Sequence, residues 1–253
     1  MRKKIIAGNW KMNKTPKEAV ELVQLLKDKI DTDKVDVALC VPAIDIIPVL
    51  DAVKGTKIAV GAQNMYFEDK GAYTGEISAD MLAEVGVKYV IIGHSERRQH
   101  FSETNENVNK KVLKALEKGL TPIICVGETI EQRNKGITVE FIKIQVKSAL
   151  QNVSIEQVEK IVMAYEPIWA IGTGVTATSQ QAEEICSVIR NVLEELYDKN
   201  VAEKIRIQYG GSVKGSNAKE LFDMPNIDGG LIGGASLKED FCNIVNYQDW
   251  YLV

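Results

Sequence analysis

Short uninterrupted apolar runs recur along the chain, each followed by a longer stretch whose apolar positions fall three or four apart. The first kind reads as a strand covered on both faces, since it leaves no side for water. The second reads as a helix with one apolar stripe. Strands are predicted at residues 4–8, 35–41, 57–62, 89–93, 120–126, 161–165, 205–209 and 229–232. Helices are predicted at residues 16–30, 44–53, 78–85, 102–118, 139–151, 178–198, 218–222 and 237–245. The first helix has Thr15 as its N-cap, Pro16 in its first turn, and Val20, Val23, Leu26 and Ile30 on one face. Gly119 ends the helix that precedes it. Residues 63–77 are long for a connection and carry Met65, Tyr66, Phe67 and Tyr73, which the pattern leaves exposed. Such a loop usually serves a function or an interface.

Strand alternating with helix forces parallel strands and right-handed crossovers. Eight such units close naturally into a (β/α)8 barrel, and residues 1–253 read as one domain with nothing resembling a linker. The alternative, an open doubly wound sheet, would show a glycine fingerprint after the first strand. Gly8-Asn9-Trp10-Lys11 lacks that spacing.

Composition narrows the function. With 45% hydrophobic and 26% charged residues, the chain is that of a soluble globular protein with ample core. The net charge is −4 and the basic residues are scattered, so no nucleic-acid or anionic-membrane surface is expected. Residues 1–4 are basic, but the apolar stretch after them is too short for a signal-peptide core, and no transmembrane run appears. Cys40, Cys125, Cys186 and Cys242 lie far apart with no CxxC and no Cys/His cluster. They are expected to be buried thiols of a cytoplasmic protein, with no metal site.

In a barrel the functional face is built at the C-terminal ends of the strands. Asn9 and Lys11 follow the first strand, His94, Ser95 and Glu96 the fourth, and Glu166 the sixth. Gly210, Gly211 and Ser212 follow the seventh strand; Gly233, Gly234 and Ser236 follow the eighth. Taken singly, Glu166 reads as a strand-end carboxylate, His94 as a hydrogen-bonded imidazole and Lys11 as a solvated cation. Together they fall on one rim. After Glu166, Pro167 ends the ladder, and Trp169 and Ile171 sit among Gly172 and Gly174, the composition of a lid that closes a general base away from water. Paired glycines after the seventh and eighth strands bring backbone N–H groups where barrels commonly hold phosphate. His100 is given no role. The residues thus read as a barrel enzyme for a small phosphorylated substrate, with one carboxylate base, one histidine and one lysine.

The stretches Ala7-Gly8-Asn9-Trp10-Lys11-Met12-Asn13, Gly93-His94-Ser95-Glu96-Arg97-Arg98, Ala164-Tyr165-Glu166-Pro167-Ile168-Trp169 with Ala170-Ile171-Gly172-Thr173-Gly174, Tyr209-Gly210-Gly211-Ser212-Val213 and Gly233-Gly234-Ala235-Ser236-Leu237 resemble the triosephosphate isomerase family, in its order and along the whole chain. The resemblance implies interconversion of dihydroxyacetone phosphate and D-glyceraldehyde 3-phosphate through an enediolate, a step of glycolysis and gluconeogenesis, with no cofactor. It implies Glu166 as base and His94 as a neutral electrophile. It further implies Lys11 and Asn9 at the substrate oxygens, and the N–H groups of Gly172, Ser212, Gly233 and Gly234 at the phosphate. Ser95 and Glu96 would support His94 and Lys11. It implies a homodimer, with Thr74 on an arm reaching the neighbour's Asn9 and Glu96. Two departures fall in the lid: Val175 where relatives often have Lys, and Ile168 where Val is frequent. Two other readings remain open: an aldolase-type barrel using Lys11 as a Schiff base, and a catalytically silent phosphate binder.

Overall fold

The computed structural model describes residues 2–30, 33–170 and 177–248. Eight parallel strands pair in sequence order and close, β1 pairing with both β2 and β8. The chain runs β1 (Lys4–Asn9), α1 (Pro16–Lys27), β2 (Val35–Val41), α2 (Ile46–Ala52), β3 (Ile58–Ala62), α3 (Ala79–Glu84) and β4 (Tyr89–Ile92). It continues through α4 (Ser95–His100), α5 (Asn105–Glu117), β5 (Thr121–Val126), α6 (Ile130–Asn134), α7 (Thr138–Ala149), α8 (Ile155–Val158) and β6 (Val162–Tyr165). The last quarter holds α9 (Ser179–Leu196), α10 (Lys199–Ala202), β7 (Arg206–Tyr209), α11 (Gly215–Phe222), β8 (Gly229–Ile232) and α12 (Asp240–Val245). The expected barrel is the observed architecture.

Period-two alternation sorts each strand between two cores. Ile5, Ala7, Ala38, Cys40, Ile91, Ile123, Cys125, Val162 and Ala164 fill the barrel interior. Their neighbours, such as Ile6, Leu39, Ile92 and Ile124, pack outward with Val23, Leu26, Val112 and Ile189 from the helices. This is why the strands carry no polar face. Gln208 is the buried polar exception on β7, and its amide donates to the carbonyls of Ile5 (3.1 Å) and Gly230 (3.0 Å).

Several expectations need adjustment. The first helix stops at Lys27, and Val20 is only half-buried while Ala19 and Leu22 complete the inner face. The helix expected from residue 102 begins at Asn105, capped by the Thr104 hydroxyl, because Ser102 takes a positive φ of 53°. Met65, expected to be exposed, is buried in the main core, whereas Tyr73 is exposed. The six-residue α4 after His94 has no apolar stripe, so the pattern did not announce it. Among the described residues no helix is long and apolar enough to cross a membrane.

Candidate active site

Asn9 ends β1, and its side-chain oxygen accepts the N–H of Lys11 (3.0 Å). That bond offsets the strained left-handed backbone of Lys11, whose φ is 53°. The amide of Gln63 adds a second restraint by donating to the Lys11 carbonyl (2.9 Å). With its backbone so held, Lys11 directs its ammonium to Glu96 Oε1 at 2.5 Å. Asn9 is therefore placed to aim Lys11 as well as to line the pocket.

β4 is followed by Gly93, which turns with φ 73°; a side chain there would meet Arg98 and Val108 at 2.9 Å. The chain then enters α4 with His94 as its N-cap, Nδ1 accepting the N–H of Glu96 (3.2 Å). An accepting Nδ1 puts the proton of a neutral ring on Nε2. Nε2 lies 2.8 Å from Glu166 Oε1, and the N–H of Ser95 donates to Glu166 Oε2 (3.0 Å). Ser95 thus meets Glu166 through its backbone, while Glu96 meets both His94 and Lys11.

Glu166 follows β6 and extends its ladder by donating to the Val126 carbonyl (2.8 Å). Only glycine fits opposite: a Cβ on Gly127 would stand 1.8 Å from the Glu166 carbonyl oxygen. Burial alone would raise the Glu166 carboxyl, but His94, the Ser95 N–H and Lys11 outweigh it and hold it below its ordinary value. Burial likewise disfavours a charged His94, yet the adjacent carboxylate raises the ring above its ordinary value. The carboxylate thus favours an ionised ring, while the Glu96 N–H at Nδ1, which an ionised ring could not accept, favours a neutral one.

The opposite wall is built from the turns after β7 and β8. Gly210, Gly211, Ser212, Gly233 and Gly234 line the same pocket of about 630 Å³ as Asn9, Lys11, His94 and Glu166. Position 233 lies close to Lys11, since a Cβ there would sit 3.6 Å from Lys11 Cε. The buried Ser236 hydroxyl donates to the Gly233 carbonyl (2.7 Å) and pins this turn. Gly172, Val175 and the rest of the lid at 171–176 lie outside the described residues.

The root of the lid is described, and it is tied by a residue the sequence reading missed. Glu128, fully buried after β5, accepts from the Trp169 indole (2.9 Å), the Tyr165 hydroxyl (3.2 Å) and Arg133 (3.1 Å). Nothing in the local pattern separates Glu128 from a surface acid; its signal was the same strand-end position that picked out Glu166. Thr74 lies exposed on the 63–78 arm, away from this chain's own pocket lining.

A closed parallel barrel with carboxylate, imidazole and lysine gathered on its C-terminal rim has the architecture of a (β/α)8 enzyme. Residues 4–248 match the profile of the family described as Triosephosphate isomerase. The protein of that name from Acetivibrio thermocellus is 62% identical over 98% of this chain and 99% of its own length. One from Clostridium botulinum is 59% identical over 98% of this chain and 100% of its own, and one from Lactobacillus delbrueckii subsp. bulgaricus is 54% identical over 98% and 99%. The chain belongs to the triosephosphate isomerase family.

Proposed function

We propose that the protein interconverts dihydroxyacetone phosphate and D-glyceraldehyde 3-phosphate by moving one proton between adjacent carbons through an enediolate. The observation that carries this reading is the gathering of Glu166, His94 and Lys11 in one pocket opposite the paired glycine turns. Glu166 removes a proton from the carbon beside the carbonyl, the C–H electrons become the C=C bond, and the carbonyl oxygen takes up the displaced pair. The proton then returns to the neighbouring carbon as the hydroxyl proton passes from that first carbon's oxygen to the other, so that hydroxyl and carbonyl exchange places. No net oxidant is consumed.

Both oxygens of Glu166 are engaged, by His94 and by the Ser95 N–H. To act as base it exchanges these partners for the substrate carbon. Its departure also removes what raises His94, leaving burial and the Glu96 N–H at Nδ1 to favour the neutral ring. Neutral His94 then presents Nε2–H to the substrate oxygens. Lys11 offsets charge on both the phosphate and the enediolate. The N–H groups of Gly172, Ser212, Gly233 and Gly234 hold the phosphate, whose binding is used to shut the lid from residue 167 to 177 and keep water from the enediolate.

The working unit is a single-domain chain assembled as a homodimer. In support, a second cavity of about 460 Å³ beside Lys11 and Glu96 is lined by the exposed Met12 and Phe101, an apolar surface that an arm carrying Thr74 from a second copy would cover. All four cysteines are buried and unpaired, which supports a cytoplasmic setting.

The test is turnover of D-glyceraldehyde 3-phosphate by the purified chain beside Glu166→Gln. Fast turnover that the substitution reduces by about 10⁴-fold supports the reading. No turnover by the parent chain, with phosphate analogues still bound, replaces it with the silent binder.

A further inference from the structure

We propose that a row of lysines on α5 sets the pose of the 63–78 arm, and so governs how tightly two copies of this chain assemble. The proposal rests on the homodimer reading above. Lys110, Lys111 and Lys114 lie in α5 and Lys118 is its C-cap, at spacings that bring them to one side of the helix. Lys110 lies 5.0 Å from the Phe67 ring centre, and Lys111 donates to Asn64 (2.8 Å) as well as pairing with buried Glu103. Lys114 and Lys118 both reach the Asp69 carboxylate at 3.2 Å, and Lys118 also reaches Asp80, at 2.9 Å. Glu117 on the same helix shares Lys114 at 2.9 Å.

These contacts grip both ends of the arm. Asn64, Phe67 and Asp69 belong to its outgoing limb, and Asp80 sits in α3 where the returning limb ends. The limbs are joined by the Tyr66 N–H donating to the Ile77 carbonyl (2.8 Å), with the Phe67 ring stacked on Tyr66 and the Tyr73 ring tilted against it. Residues 68–76 between them are exposed, so this stretch has little buried packing of its own to fix its direction. Asp69 is pulled below its ordinary value by Lys114 and Lys118, as expected of a carboxylate with two cationic partners.

The arm root has a second job. Asn64, Met65 and Ile77 also line the cavity that includes Met12 and Phe101. In a twofold pair each copy supplies both the inserting arm and the receiving cavity, so one lysine row acts on both halves of the contact and does so twice. Single surface ion pairs contribute little, but a network that removes the orientational freedom of a docking loop acts through preorganisation. It follows that a charge-removing modification of Lys114 or Lys118, or raised salt, loosens the assembly without touching the catalytic groups.

The experiment is sedimentation of the full chain, the Lys114→Gln/Lys118→Gln variant and the Lys114→Arg/Lys118→Arg variant, across protein and salt concentration, with Thr74→Arg as the arm-blocked control. The Gln pair is expected to dimerise about tenfold more weakly at low salt and to converge on the parent near 1 M salt, where screening is short-ranged. Its activity per mass should fall on dilution and recover at high concentration, while the Arg pair behaves as the parent. An unchanged dissociation constant for the Gln pair overturns the proposal, as does an Arg pair weakened as much as the Gln pair. A parent that stays monomeric at every concentration overturns the homodimer reading itself.

Discussion

Glu166 at the C-terminal rim and Asp228 at the opposite end of the barrel are both buried carboxylates, 2% and 1% exposed. Asp228 accepts from Arg2 (2.8 Å), Arg190 (2.9 Å) and the Ile207 N–H (3.0 Å). Its partners are themselves locked: Arg190 also donates to the Ala202 and Ile205 carbonyls, and Arg2 to Glu203 and the Pro225 carbonyl. Glu166 has one ring and one backbone N–H, and it lines a cavity together with that ring. A saturated carboxylate ties strands together, whereas one with few and replaceable partners is free to exchange them for a substrate. The same functional group is structural at one end and chemical at the other.

Lys11→Ala should break activity most. Turnover is expected to fall by at least about 10³-fold with little change in melting temperature, because Lys11 is half-buried and its ion partner Glu96 is partly solvated. A variant that turns over normally would remove Lys11 from the site. Asp228→Asn tests the other end. It should destabilise the fold by about 3–5 kcal/mol in denaturant unfolding, since it leaves buried Arg190 without its counter-charge, while turnover per folded molecule stays near the parent's. If activity fell and stability did not, the contrast between the two ends would collapse.

Glu166→Asp is the sharper cut at the rim. Shortening the side chain by one methylene withdraws the carboxylate by about 1 Å and should cost about 10²-fold in turnover, with phosphate-analogue affinity nearly unchanged. Equal losses in both would assign Glu166 to binding. The smallest effect is in pH. Glu166 is held below its ordinary 4.5, so its contribution to stability is complete above that pH and lost as pH falls through its lowered value. His94 is held above its ordinary 6.5, so its contribution is complete below that pH and lost as pH rises through its raised value. Their attraction is at full strength between the two. His94→Gln should therefore lower the melting temperature more at about pH 5.5 than at about pH 9, by about 2 °C. Equal effects at both would mean the pair is not coupled.

Much of the rim was legible because chemistry and topology coincide there. His94, Glu166 and the two glycine pairs each end an apolar run, and a parallel barrel sends every such end to the same face. Gln63 and Glu128 were not legible: both sit at strand ends too, but their partners are the Lys11 carbonyl and the Trp169 indole, groups distant in sequence. Met65 misled for the same reason. It sits in a polar, irregular loop, yet it packs into the core formed by the outward strand faces and the helices.

The alternation of strand and helix, the parallel closure and the rim positions of Asn9, Lys11, His94 and Glu166 follow from the sequence, because backbone periodicity and the face on which each strand ends are set by neighbours in the chain. The sequence did not determine that Glu166 rests on His94 and Ser95, that Glu96 serves both Lys11 and His94, or that α5 holds the arm. Apart from the Glu96–His94 pair, those contacts join residues tens of positions apart. Their distances depend on barrel curvature and close packing, which exist only once the whole chain has closed.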